Sequence, residues 1–371
     1  MAMSRLVCVG DYEQYAEHNL PNAVRQYFNS GANYEQTYAD NVAAFKRYRF
    51  RPRYMRDMSE RNLTTSLLGH DVTSPIGVSP MSMCRLAHPD GEVALAKACE
   101  SEGSCFCLSM AATSSVEEVG QAAPGCTRWF QVHVLKDRDM MRRMVQRAQR
   151  AGFTALVLTV DCAVHGKRYK DLRNQFSLPP HLKLSNFEEE LKRAKSVVAT
   201  GQSKEEWGRF VNQAFSPAHT WQDIQWLKSV SHLPVVAKGV VTAWDALEAV
   251  QHGADAVWVS NHGGRELDCL PATIDALTEV CQAVGDKTEV YLDGGVRSGL
   301  DILKALSRGA RAVYCGRPAL WGLAKDGEAG TSDVLQILKE ELSVGMALAG
   351  VKDVQHVPTE LVVHQSFYSA L

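Results

Sequence analysis

The chain of 371 residues carries 40 basic and 42 acidic side chains, a formal net charge of -2, and is 45% hydrophobic. That is enough for one large domain or two ordinary ones, and the balanced charge gives no reason to expect nucleic acid or an anionic membrane as partner. No apolar run is long enough to span a bilayer, and the start, Met1 to Gly10, has too short an apolar stretch for a secretory signal. Ten scattered cysteines show no paired Cys-x-x-Cys spacing of the kind that holds zinc, so they are expected as reduced thiols of an intracellular protein, with no metal.

Residues 1 to about 70 read as a helical segment that precedes a repeating part. Residues 11–17 suit a helix, and Pro21 opens another over 22–29 that stops at Ser30-Gly31. Tyr27, near its end, fits a half-buried aromatic. From about residue 75 short apolar runs alternate with charge-patterned helical stretches. Strands are expected at 76–79, 105–109, 129–134, 155–161, 235–239, 256–260, 290–293 and 312–316. Helices are expected between them, at 90–102, 137–151, 243–251, 274–283 and 300–307. Eight β units alternating with helices predict an α/β fold, a (β/α)8 TIM barrel over about 75–325, with a helix and tail over 326–371. A doubly wound open sheet is the rival, but no early Gly-x-Gly-x-x-Gly follows a first strand. One long insertion after the fourth strand, about 177–217, is rich in Glu, Lys and Arg, which predicts a solvated segment and suits a lid.

Polar residues recur at the C-terminal ends of these strands, where barrel chemistry sits. In order they are Ser79, Ser109, Gln131 with His133, Thr159 with Asp161, Lys238, Ser260 to Arg265, Asp293 to Arg297, and Gly316-Arg317. The densest stretch is Ser260-Asn261-His262-Gly263-Gly264-Arg265-Glu266-Leu267-Asp268. It joins a group that takes a proton near neutrality to an anion-binding fork, with glycines that allow close backbone approach. That combination suits chemistry on a small carboxylic acid; a helix-capping His262 and a surface pair between Arg265 and Asp268 fit the same residues. Leu292-Asp293-Gly294-Gly295-Val296-Arg297-Ser298-Gly299 and Tyr314-Cys315-Gly316-Arg317-Pro318 close the last two strands, the usual barrel position for a phosphate. This signals a phosphorylated ligand without naming it, and IMP dehydrogenase-like barrels share the feature.

Together these motifs, with Tyr27-Phe28-Asn29-Ser30-Gly31-Ala32 and Ala112-Thr113-Ser114-Ser115-Val116-Glu117-Glu118-Val119, resemble the FMN-dependent α-hydroxy acid oxidase family across essentially the whole chain. The resemblance implies a flavoprotein that oxidises a small L-2-hydroxy acid to the 2-oxo acid, with oxygen as acceptor and hydrogen peroxide as product. It implies His262 as base and Asp161 as its partner. Arg265 and Arg168 would bind the substrate carboxylate, with the Tyr27 hydroxyl. It also implies Lys238 at the polar edge of the FMN ring, with Ser109, Gln131 and Thr159 bonding it. The stretch Ser79-Pro80-Met81-Ser82-Met83 would lie along the flavin, with Ser260, Asp293, Gly294 and Gly295 in the same binding set. Arg297, Gly316 and Arg317 would hold its phosphate, and the assembly would be a homo-oligomer, a tetramer in this family.

Two positions depart from the glycolate oxidase pattern. His133 stands where a tyrosine is expected and adds a second titratable ring, and Ala111 stands where that branch has tryptophan. A smaller pocket wall predicts a larger 2-hydroxy acid than glycolate. A dehydrogenase using another acceptor, or a catalytically altered flavin-binding protein, remains as an alternative. The chain closes Ser369-Ala370-Leu371, similar at two positions to the Ser-Lys-Leu peroxisomal address, which points to the peroxisome with the cytoplasm as alternative.

Overall fold

Eight short runs of apolar residues form parallel strands that close on one another. They are β1 (Ile76–Val78), β2 (Cys105–Ser109), β3 (Thr127–Val132), β4 (Ala155–Thr159), β5 (Val235–Val240), β6 (Ala256–Val259), β7 (Glu289–Leu292) and β8 (Ala312–Cys315), with β8 paired back to β1. This computed structural model describes residues 6–174, 176–188 and 214–369. The strands are buried on both faces because side chains alternate between the barrel interior and the helix layer, so they read as unbroken apolar runs. Trp129, Trp258, Tyr291 and Tyr314 fill the interior, with the rings of Trp258 and Tyr314 4.1 Å apart. Each such aromatic removes roughly 150–250 Å² from water, a gross gain of about 4–6 kcal/mol. Alanines at 155, 256 and 312 in the same cluster leave the room they occupy.

The surrounding helices are α1 (Gly91–Ser101), α2 (Val116–Ala122), α3 (Arg138–Arg150), α4 (Gln222–Val230), α5 (Ala243–Gln251), α6 (Thr273–Val284), α7 (Gly299–Ser307) and α8 (Arg317–Ala349). Their starts follow capping chemistry. The Asp137 side chain accepts from the Met140 N–H, while Ser115 with Glu118 and Ser298 with Asp301 form reciprocal boxes. The long α8 breaks at Asp326 and Gly327, the latter at φ 54°.

Three expectations need correction. Residues up to 70 are not uniformly helical: helices Val9–Asn19, Asn22–Phe28 and Gln36–Ala44 give way to short strands. Tyr48–Phe50 pairs with Val362–His364, and the hairpin Thr65–Leu67 with His70–Val72 sends Leu67 and Val72 into the interior cluster. A three-residue strand is too short to show periodicity in sequence. The third strand ends at Val132, so His133 lies beyond it. The expected lid falls mainly on 189–213, outside the described residues. Its near flank is only partly solvated: Lys183 is exposed, but Phe187 is buried and Asn186 bonds the Val116 N–H and the Met110 carbonyl.

Candidate active site

A single cavity at the C-terminal ends of the strands gathers most of the residues expected from sequence. Its wall includes Tyr27, Ser79, Pro80, Met81, Ala111, His133, Arg168, Lys238, His262 and Arg265, and the phosphate-loop residues Asp293, Gly294, Gly295, Arg297, Gly316 and Arg317. Asp161, Ser109, Gln131, Thr159 and Ser260 do not line it but stand directly behind. Asp161 Oδ1 lies 3.1 Å from His262 Nδ1, and Ser260 Oγ lies 3.0 Å from Lys238 Nζ. Gln131 donates to Thr159 Oγ1 at 2.9 Å, and Ser109 Oγ is 3.1 Å from Ser82 Oγ.

The chain is shaped to present His262. It follows β6 in the left-handed region at φ 57°, with Gly263 at 64° and Gly264 at 75° continuing the turn. A histidine held at positive φ is strained, and such strain is kept where the surroundings over-determine it. Here the His262 N–H donates to Ser260 Oγ and its ring is held by Asp161. A Cβ on Gly264 would stand 2.6 Å from the Tyr38 backbone nitrogen, so only glycine fits. His262 therefore does not cap a helix. Asp268 does: it accepts from the N–H groups of Gln36 and Thr37, at the start of Gln36–Ala44, and is not the partner of Arg265.

Arg265 donates from Nη1 to the Tyr27 and Ser30 carbonyls and lies 5.1 Å over the Tyr27 ring, which stacks in turn on Phe176. Arg168 is held by the Arg265 carbonyl and by Glu266. Burial opposes the Glu266 charge, but Arg168, His165 and His262 together outweigh it and hold the carboxyl well below the usual range. The two guanidiniums are thus fixed in the wall of the cavity that His262 also lines. Burial and the neighbouring Arg168 lower the Arg265 pKa, which still leaves an arginine charged.

His133 stands with its ring against two others and not free in the pocket. It stacks on Phe215 at 4.8 Å and lies 6.3 Å from the His262 ring. Burial, then the proximity of His262 and His165, push its pKa down to about 3. Its flat ring forms part of the pocket wall.

At the other side, Lys238 is only 3% exposed and sits 3.5 Å from Asp293 Oδ2, which also accepts from Ser79 Oγ. Asp293 Oδ1 is buried without a partner among the described residues and calls for a donor. Gly294 and Gly295 turn at φ 99° and 83°, and a Cβ on Gly295 would meet the Asn41 carbonyl at 1.9 Å. Arg317 already donates to the carbonyls of Phe28, Gly263 and Ser30, which locks the N-terminal segment over the cavity. Burial pulls its pKa down to about 9. Arg297 lies 4.7 Å over the Trp321 ring.

Sequence reasoning missed Glu266, His165 and Phe215, while Ser82 lines the cavity with Ser79, Pro80 and Met81 of its expected stretch. Glu266 sat inside the quoted motif without a signal of its own. His165 and Phe215 enter from the long connection after β4, where no periodicity marks an inward side chain.

The residues fit a flavin mononucleotide. The buried Asp293 oxygen would suit a donor hydroxyl of a ribityl chain, the buried ammonium of Lys238 would suit an anionic ring edge, and the glycine turns with Arg297 would suit a phosphate. The chain matches the family described as FMN-dependent dehydrogenase over residues 16–364. It is 47% identical over 366 residues to 2-hydroxyacid oxidase 1 of Homo sapiens, covering 97% of each chain. It is 45% identical to an L-lactate oxidase of Nostoc sp., covering 97% of this chain and 99% of that one. A mandelate oxidase structure with (S)-4-hydroxymandelic acid superposes with a TM-score of 0.89 at 34% identity, covering 96% and 98% of the two chains. Fold, site chemistry and matched length agree, and the chain belongs to the FMN-dependent dehydrogenase family.

Proposed function

We propose that the protein oxidises an L-2-hydroxy acid larger than glycolate to the 2-oxo acid and passes the electrons to oxygen, releasing hydrogen peroxide. The observation that carries this reading is His262, paired with Asp161 at 3.1 Å and lining the same cavity as Arg168 and Arg265. Bound FMN accepts the two electrons of the oxidation and hands them to the acceptor. The remaining work belongs to the chain. Arg265 and Arg168 take the substrate carboxylate as charged forks, with Tyr27 beside them. With Nδ1 engaged by Asp161, His262 Nε2 takes the proton that leaves as the alcohol becomes a ketone, and Asp161 stabilises the resulting imidazolium. Lys238, backed by Ser260 and Asp293, supplies positive charge at the ring. Ser79, Pro80 and Met81 would lie along the ring, with Ser109, Gln131 and Thr159 behind them to bond its polar edge, while Gly294, Gly295, Arg297, Gly316 and Arg317 would hold the phosphate.

Ala111 supports the larger substrate. It is 6% exposed and lines the cavity as a methyl group, with the flat rings of His133 and Phe215 nearby in the same wall. Within this proposal 1–371 is a single catalytic domain assembled as a homotetramer, and the Ser-Ala-Leu ending, of which residues 370–371 lie outside the described residues, directs it to the peroxisome. No described helix is long and apolar enough to cross a membrane. The test is anaerobic bleaching of the flavin spectrum by hydroxy acids from glycolate through lactate to long-chain and aromatic members. Fast bleaching by a longer acid and slow bleaching by glycolate is the expected result. A flavin that no hydroxy acid bleaches would overturn the proposal.

A further inference from the structure

Beside the arginine pair lies a group of side chains that the oxidation does not use. Cys162 Sγ is 3.8 Å from His165 Nδ1, which is 3.5 Å from Glu266 Oε1, and the three ligand atoms lie within 4.8 Å of one another. Tetrahedral zinc, with bonds of about 2.3 Å to sulfur and about 2.0–2.1 Å to nitrogen and oxygen, sets ligand atoms about 3.3–3.6 Å apart. The two edges to His165 exceed that by at most a few tenths of an ångström, and the third, between Cys162 and Glu266, is within 4.8 Å, so side-chain rotation of Cys162 and Glu266 closes the set around a cation. We propose that Cys162, His165 and Glu266 form a site for a zinc-class divalent cation, and that its occupation inhibits the enzyme by drawing Glu266 away from Arg168.

The donor set favours a borderline-soft cation. One thiolate, one imidazole and one carboxylate are zinc donors, and hard cations such as magnesium prefer all-oxygen sites. Binding exchanges the thiol proton for a metal–sulfur bond, with the proton released to solvent and no change of oxidation state. The two anionic ligands then balance the divalent charge next to Arg168. Without metal the Cys162 thiol is held protonated by burial and by the carboxylates of Glu266 and Asp161. Those same carboxylates attract a cation and so reverse that preference once one arrives. His165 forms part of the cavity wall, so water reaches the fourth coordination position from the cavity. The sequence hid this site because Cys162 and His165 are close in the chain while Glu266 arrives from the loop after β6.

The functional consequence follows from one oxygen. Glu266 Oε1 is the atom that receives Arg168 Nη2, and it is also the nearest carboxylate oxygen to His165. A cation there competes with Arg168 for it, leaving the guanidinium with the Arg265 carbonyl as its other partner. If Arg168 holds the substrate carboxylate, as the proposed function has it, bound metal raises KM more than it lowers kcat.

The test begins with binding, which needs no turnover. FMN-loaded protein stripped with EDTA is equilibrated against micromolar Zn2+ by dialysis and its metal content measured. The expected result is one zinc per chain with release of about one proton. Cys162→Ser and His165→Gln should each weaken uptake by more than about 10-fold, with an unchanged flavin spectrum showing that both variants fold. Cys269→Ser, at an exposed thiol, should leave uptake unchanged. Equal uptake by wild type, Cys162→Ser and His165→Gln would overturn the site, as would no uptake by wild type. In the second arm Zn2+ should raise KM for the best hydroxy acid, reversibly with EDTA, and not in Cys162→Ser. Stoichiometric zinc without a change in KM would overturn the inhibitory role. A protein that oxidises no hydroxy acid still yields the dialysis result, so failure of the proposed function and failure of the metal site are told apart.

Discussion

Replacing Asp161 by asparagine keeps the shape of the site and removes one charge, so it isolates what that charge does for His262. Asp161 Oδ1 is 3.1 Å from His262 Nδ1, and its side chain is only 11% exposed. During turnover His262 gains a proton and becomes cationic, so the carboxylate acts on the state that develops and not on the resting one. At a charge separation of about 4 Å and an effective dielectric near 20, that attraction is worth about 4 kcal/mol. Allowing for residual solvent, about 3–4 kcal/mol should be lost, which is about 10²–10³-fold in rate at about 1.36 kcal/mol per decade. Stopped-flow measurement of anaerobic flavin reduction reads this step directly, and the substrate dissociation constant from the same traces should move far less. Reduction slowed by less than about threefold would refute the reasoning, since it would mean no cation develops on His262.

A second route to the same loss is steric. A Cβ on Gly239 would lie 2.6 Å from Asp161 Cγ, and Gly239 sits at φ 110°, so Gly239→Ala should displace the carboxylate and slow flavin reduction while far-ultraviolet circular dichroism stays native. Ala111→Trp should fill the pocket wall and reverse chain-length preference: each excluded methylene costs roughly 1–3 kcal/mol, so kcat/KM for a long hydroxy acid should fall at least about 10-fold relative to glycolate. Lys238→Met leaves Asp293 buried with its cation gone, a loss of about 3–5 kcal/mol for a broken buried pair, and should weaken FMN retention in equilibrium dialysis. His133 has a folded pKa of about 3, below the ordinary 6.5, so between those values the unfolded chain binds the extra proton and stability falls as pH drops. His133→Tyr should therefore flatten the denaturation midpoint between pH 6 and pH 4 while leaving the pH profile of activity above pH 6 unchanged; an activity inflection that disappears in this variant would show that His133 titrates in the working range.

The sequence alone determined the barrel, because eight buried parallel strands must be apolar on both faces and each must be followed by a helix. That pattern is local, and valine-rich runs ending in Ser, Lys or Asp carry it openly. It also determined which strand ends gather at the cavity, though Ser109, Gln131, Thr159 and Ser260 stand behind its wall while Lys238 and Asp293 enter it. Lys238, Asp293 and the turn around His262 were legible as polar residues at the ends of predicted strands. The tertiary structure alone decided the partnerships. That Asp268 caps Gln36–Ala44 and leaves Arg265 for the cavity depends on a segment more than two hundred residues away. Whether His133 titrates depends on Phe215 and His262 burying it from two other connections. The Cys162–His165–Glu266 group and the grip of Arg317 on the N-terminal segment likewise join parts of the chain with no shared period. Periodicity reports which side of an element is buried; what a buried polar group meets there is set by non-local packing, and that is where charge, pKa and ligand preference are fixed.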